Sequence, residues 1–444
     1  LFAACGSNSV STASGSAPVS SSSDVLPPAV ADEYQFLSSV SGFSSLGSSF
    51  LQREDSLYFT YNSQLYKSEG TDVSLVKNNV EYIAGKRQDD LLLILPDPSA
   101  PAVETSLGSS QTSLYAYNPA TRQNTLLYKG AHRAVLPETN GNTLFLATFE
   151  PYTGSYGYQL QISLYNLDTQ ERTPVFSDEY VSVFPALEGQ EAEAPEAAYA
   201  ADFELQENAV LVYVKYPYPS EYPYVRTLTF SRQGELQRDS EEESASSSNY
   251  QPETPVSIDC GSYQVTRTYN SATSKYRYTA EIDGKQQFIA EDASAIYEAT
   301  PNGLFYYKMV GTPSSDGFYW HVYNGKEIIA IPNPHPALPE STLIPCDGKI
   351  YFLFYNDYSG NMGTEAAADR VALYQATGTA EDPTAVAAVF PTEGSAHFFI
   401  DTYEWYFGLN YCVVGHFLLI DNQTPNRIFI LNTTSNQYST LIAE

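Results

Sequence analysis

A segment of about fifty residues recurs along the chain, and a period of that length restricts the fold more than any other feature of the sequence. "QLYKSEGTDVSLV", "SLYAYNPATRQNTLLY" and "SLYNLDTQERTPVF" each carry an apolar–Tyr pair, a polar turn and a second apolar segment. Their tyrosines, Tyr66, Tyr115 and Tyr165, stand 49 and 50 residues apart. "HVYNGKEIIAI" and "ALYQATGTAEDPTAVAAVF" place Tyr323 and Tyr374 51 apart, and the intervening 158 residues hold two weaker copies, from Arg226 and from Tyr276. An eighth copy, "RIFILNTTSNQYSTLIAE", closes the sequence.

Several copies follow another segment in which a polar turn leads into apolar and aromatic residues: Leu57–Phe59, Leu144–Leu146, Leu304–Tyr307 and Ile350–Phe354. Alternation over four to eight residues, broken by Gly, Asn, Asp and Pro, is the pattern of half-buried strands. The 37 Tyr and 22 Phe suit the same pleated surfaces. "AHRAVL" and "SAIYEA" add a further strand to their repeats. Four short strands repeated eight times predict an all-β chain folded as a single β-propeller of eight four-stranded blades, with seven as the alternative count. It starts near Tyr34 and ends at the C-terminus, with no strand exchanged between the two ends. The (D/N)G-x-(I/L)-Y-(F/Y) and L-Y elements resemble the repeats of bacterial lipoproteins whose propellers are akin to those of the low-density lipoprotein receptor. The YWTD tetrapeptide itself is missing, so no receptor ligand is implied.

The first residues predict where such a propeller resides. "LFAAC" resembles a lipobox, in which Phe2-Ala3-Ala4 precede a cysteine that is diacylated. Residues 1–5 are then the remnant of a lipoprotein signal peptide with Cys5 as the lipidated residue (palmitate among its acyl chains). Nine of the eighteen residues from Gly6 to Ser23 are serine. Such a segment buries too little apolar surface to offset its ordering entropy. Residues 6–32 therefore read as a flexible linker with an end-to-end distance of roughly 30 Å, and residues 33–444 as the propeller. The expected location is the outer face of the bacterial cytoplasmic membrane, with the lipid as the only membrane contact. The most apolar stretch, Tyr406–Ile420, carries Asn410 and His416 and falls short of the ~18 residues a spanning helix needs.

Acidic residues outnumber basic ones 52 to 22, a net charge of −30. Phosphate backbones need a basic footprint, so nucleic acid is excluded as a partner. The remaining cysteines, Cys260, Cys346 and Cys412, lie in or beside apolar segments and read as small buried hydrophobes. The sequence has no G-x-S-x-G, H-E-x-x-H, C-x-x-C, P-loop or G-x-G-x-x-G motif, and its five histidines are scattered. No catalytic residue, cofactor or metal site is expected. "SSDGFYW" lacks the residue between Asp and Gly that a sialidase Asp-box needs, and "YNDYSGNMG" lacks the closing acidic residue of a calcium loop. Residues 186–198 and 239–253 read as solvated acidic loops.

Insertions point to the functional face. Residues 96–111, 150–159, 216–224, 311–320 and 355–369 all join the second strand of a repeat to its third. Repeat proteins commonly put such insertions on their binding face. The residues expected to contact a ligand there are Tyr152, Tyr156, Tyr158, Tyr216, Tyr218, Tyr222, Tyr224, Trp320, Tyr355, Asp357 and Tyr358. Amphipathic aromatics on proline-stiffened loops suit peptide, protein or glycan ligands. The expected function is a monomeric, non-catalytic binding or scaffolding module. The alternative is a polysaccharide hydrolase or lyase, with Asp357, Glu150 and Glu221 as the carboxylates to test.

Overall fold

The computed structural model describes residues 33–38, 46–105, 108–151, 158–177, 200–216, 224–242, 255–292, 297–300, 302–310, 318–334, 340–355, 371–389, 411–422 and 427–442. Leu1–Glu33 and Tyr34–Glu444 separate as two compact units. The described residues contain strands and turns and no helix, so none is long and apolar enough to cross a membrane.

The second unit consists of eight antiparallel sheets in which the chain runs back and forth through neighbouring strands. They span residues 49–78, 82–129, 131–177, 200–242, 256–292, 297–330, 340–388 and 411–442, each with four strands of the repeat. First strands touch across successive sheets: Ser49–Arg53 against Tyr82–Arg87, that strand against Ala131–Val135, and that in turn against Ala200–Leu205. Fourth strands such as Gln123–Lys129 are mostly exposed. First strands therefore line the centre and fourth strands the rim. This is an eight-bladed β-propeller. The eighth sheet, Tyr411–Ile442, is built from its own four strands, so among the described residues no strand is exchanged between the ends.

Side chains join the last blade to the first. The peptide N–H of His416 donates to Gln52 Oε1 at 3.2 Å, which fixes the Gln52 amide so that Nε2 donates to His416 Nδ1 at 2.9 Å. The other ring nitrogen then carries the proton and donates to the Glu54 carbonyl at 3.0 Å. Asn432 Nδ2 donates to the same carbonyl at 2.8 Å, and Ser68 and Ser439 share a 3.0 Å hydrogen bond at the rim.

The repeating tyrosines sit on third strands. Tyr66, Tyr165, Tyr323 and Tyr374 are buried between blades and Tyr115 partly so. Third and fourth strands share a register shift at Leu65/Tyr66, Leu114/Tyr115, Ile162/Ser163, Thr229/Phe230 and Tyr278/Thr279, a bulge that adds local twist. The polar turn of the repeat is an Asx-turn. Asn118 Oδ1 accepts from the N–H groups of Ala120 and Thr121, and Asn166, Asn324 and Asn432 do the same for their own turns. One hydrophobic cluster runs through blades 1 to 4. Others join blades 8 and 1, 7 and 8, 6 and 7, and 5 and 6.

Candidate functional site

Because the chain reverses at every strand, its connections alternate between the two ends of the ring. First-to-second and third-to-fourth connections are short, the longest being residues 377–385. The strand ends bounding second-to-third and fourth-to-first connections lie at the opposite face, among them those on either side of residues 97–111, 178–199, 243–255, 356–370 and 389–410. Among the described strands, the ends that bound the long connections are therefore all on one side.

The 97–111 connection shows how such an insertion is fastened. Asp97, buried at its base, accepts from the Ser99 N–H and hydroxyl at 2.9 and 2.7 Å and from Ser113 Oγ at 2.7 Å. Hydrogen bonds from Ser99 and then Ser113 hold its carboxyl down at about 2. Gln111 Nε2 donates to the carbonyls of Pro98 and Ala100, tying the two limbs together.

The ring interior holds an additional strand. Gln35–Ser38 pairs antiparallel with Phe50–Gln52 and Ser49, making a fifth strand of the first sheet on its inner edge. It also touches the first strands of blades 2 and 4, so it lies inside the ring. It enters from the short-turn face, where the Tyr34 carbonyl accepts from Thr139 Oγ1 at 3.0 Å. Tyr34 and Phe36 are buried while Gln35 between them is exposed. Burying two such rings contributes roughly 1.5–3 kcal/mol each. Tyr34 packs against Tyr58 at 5.2 Å, shares a 2.6 Å hydrogen bond with Ser56 Oγ, and lies under Arg53 and Lys86. Phe36 meets Tyr82 at 6.3 Å. Arg133 covers Tyr82 and stands 3.7 Å from Asp202. Beside it, His132 sits on the inner strand at a register shift, with Nε2 buried and without a hydrogen-bond partner and its ring 4.8 Å from Phe149. Burial, reinforced by Arg133, pushes its pKa well below the ordinary imidazole range.

The sequence-predicted residues are placed as follows. Tyr216 and Tyr224 pair across the hairpin of blade 4. Tyr158 opens the third strand of blade 3 opposite Pro151, and Tyr355 ends a strand of blade 7 between Glu340 and Val371. Trp320 is a correction: it is not a loop residue but lies buried in the strand Phe318–Tyr323, with Nε1 donating to Ser341 Oγ at 2.8 Å. Alternation along that strand turns Trp320 and Val322 into the seam with blade 7. Glu150 is bound to Arg172 at 2.8 Å, alongside Tyr128, Thr148, Gln161 and Ser163. Residues 239–242 are also corrected, from acidic loop to strand, and the Asp239 carboxylate takes both arms of Arg226 at 2.8 and 2.6 Å. Cys5, Tyr152, Tyr156, Tyr218, Tyr222, Asp357, Tyr358 and Glu221 lie outside the described residues.

The inner strand and its sockets are what the sequence reading passed over. Their one signal is the alternation Glu33-Tyr34-Gln35-Phe36, which has no counterpart at the repeat spacing. Cys260, Cys346 and Cys412 are buried, and burial pushes the Cys260 thiol up to about 11 and the Cys346 thiol up to about 12. Among the described residues, no three His, Cys, Asp or Glu side chains gather in a way that could hold a metal ion.

No family model and no curated protein matches the sequence. Solved structures similar to this chain include the β-propeller domain of the trilobed protease from Pyrococcus furiosus, at 12% identity over 79% of this chain and 94% of that one, with a TM-score of 0.29. Oligogalacturonate lyase from Vibrio parahaemolyticus is 11% identical over 92% and 96%, with a TM-score of 0.27. Porphyromonas gingivalis dipeptidyl peptidase 4 is 9% identical over 92% and 59%, with a TM-score of 0.34. At these values the fold rests on the eight sheets themselves.

Proposed function

We propose that the protein is a lipid-anchored, extracytoplasmic binding or scaffolding module. It is monomeric and non-catalytic, and recognises protein, peptide or glycan through the long-connection face. The observation that carries this reading is that the described strand ends bounding the long connections lie on one face, with short turns on the opposite face. Tyr34, with which the second unit begins, lies on the short-turn side of the ring. Lipidation at Cys5 would place the protein on the outer face of the cytoplasmic membrane. Glu150, the described carboxylate of the rival hydrolase or lyase reading, is tied to Arg172, which supports binding over acid–base chemistry.

The test is a glycan and peptide array probed with residues 33–444 and with a variant carrying Tyr216, Tyr218, Tyr222 and Tyr224 all as alanine. A ligand bound by the parent and lost by the variant supports the reading. Retention by the variant removes these tyrosines from the site, and turnover of an arrayed polysaccharide overturns the non-catalytic assignment.

A further inference from the structure

We propose that the ring interior is a binding site for an extended peptide from a partner protein, carrying an aromatic–x–aromatic sequence, and that Tyr34–Ser38 is its built-in occupant. The proposal rests on the inner strand and is independent of the lipid anchor and of the long-connection face.

Three observations support it. First, the ring is complete without this strand. All eight blades have their own four strands, and blade 8 meets blade 1 through the Gln52–His416, Asn432–Glu54 and Ser68–Ser439 hydrogen bonds. Gln35–Ser38 lies outside the repeat and takes only the inner edge of Ser49–Gln52. Adding a strand to an open sheet edge is a general mode of peptide capture, with main-chain hydrogen bonds giving affinity and alternate side chains giving specificity.

Second, the alternate side chains fill two separate sockets. The Tyr34 socket offers Tyr58 at 5.2 Å, Ser56 Oγ for the phenol at 2.6 Å and Thr139 Oγ1 for the main-chain carbonyl at 3.0 Å. The Phe36 socket is faced by Tyr82 at 6.3 Å. Gln35 is exposed, so the intervening position is unconstrained.

Third, cations cover the Tyr34 ring. Arg53, itself ion-paired with Asp55 and Glu69, lies 5.2 Å and Lys86 5.8 Å from the ring centre, and cation–π contacts favour an aromatic residue at that position. A tethered copy competes at high effective concentration, so the site opens only when the strand is released.

The experiment uses the full chain and a fluorescein-labelled peptide, ADEYQFLSSV, followed by anisotropy. Replacing Tyr34 and Phe36 together by alanine weakens the built-in occupant and leaves both sockets intact. This variant should bind the peptide at least tenfold more tightly than the unaltered chain, and a peptide with Ala for Tyr and Phe should not bind. Equal binding by the two proteins, or of the two peptides, overturns the proposal. A second measurement on the unaltered protein covers failure of the variant to fold. Amides of residues 35–38 should exchange with deuterium at least tenfold faster than those of residues 91–95 in blade 2, and equal protection means the strand does not leave, which also overturns it. An unaltered chain that runs as a dimer exchanging this strand overturns the choice of a partner protein as the source.

Discussion

Many of the cations of this acidic chain lie over aromatic rings. Lys77 lies over Tyr117, Arg172 over Tyr128, Arg226 over Phe176, and Lys308 over Trp320. Arg267 sits 5.0 Å from the ring centres of both Tyr276 and Tyr297. Most of these pairs span neighbouring blades, so a guanidinium or ammonium group covers apolar area and keeps its charge near the rim. His132 is the opposite case, a basic group held neutral. Because its folded pKa lies below the unfolded value of about 6.5, the unfolded chain takes up a proton first as pH falls, and stability is present above that value and lost below it. The slope is at most about 1.4 kcal/mol per pH unit. His132→Phe should flatten the fall in melting temperature between pH 7 and 5 relative to the unaltered protein, as read by calorimetry. Parallel curves for the two proteins would show that His132 does not carry this acid sensitivity.

At the scale of elements, the parts legible in the sequence are those set by local chemistry and repeated. The third-strand tyrosines were found by spacing, and the Asn turns by their polar composition. Counting strands placed the insertions on one face. What stayed hidden depends on partners distant in sequence. Trp320 adjoins an insertion and reads as a loop residue, yet its burial is set by Ser341 in the next blade. Gln35–Ser38 has no repeat to mark it, and its place is fixed by sockets on blades 1 and 2. The joint between blades 8 and 1 turns on a single glycine. Gly415 has φ +55°, in the left-handed region, and a Cβ there would overlap the Gln52 amide that holds His416. Gly415→Ala should therefore lower stability by about 1–3 kcal/mol from strain and lost hydrogen bonds. In limited proteolysis, cleavage should appear first in blade 8. Wild-type melting and an unchanged digestion pattern would show that these side chains do not hold the ring closed.

Across the whole molecule, stability is uneven from blade to blade. Blade 2 has five consecutive buried residues, Leu91–Leu95, in its second strand and belongs to the cluster that runs from blade 1 to blade 4. Blade 5 is more open: its first strand, Val256–Asp259, alternates between half-buried and exposed, and only Val265 is buried in its second, Gln264–Asn270. Among the described residues, no hydrophobic cluster bridges blades 4 and 5, whereas Tyr278, Phe305 and Tyr307 join blades 5 and 6. In a ring whose blades contact mainly their neighbours, the cost of local opening follows the apolar area each seam buries. Blade 5 should thus open with its packing against blade 6 as the main restraint, while blade 2 opens only with the larger cluster. Native-state hydrogen exchange tests this directly. Amides of residues 264–270 should exchange at least about tenfold faster than those of residues 91–95, and Tyr278→Ala should widen the gap by releasing blade 5 further. Uniform protection around the ring, or a Tyr278→Ala change that speeds blade 2 as much as blade 5, would mean that the eight blades open as one cooperative unit.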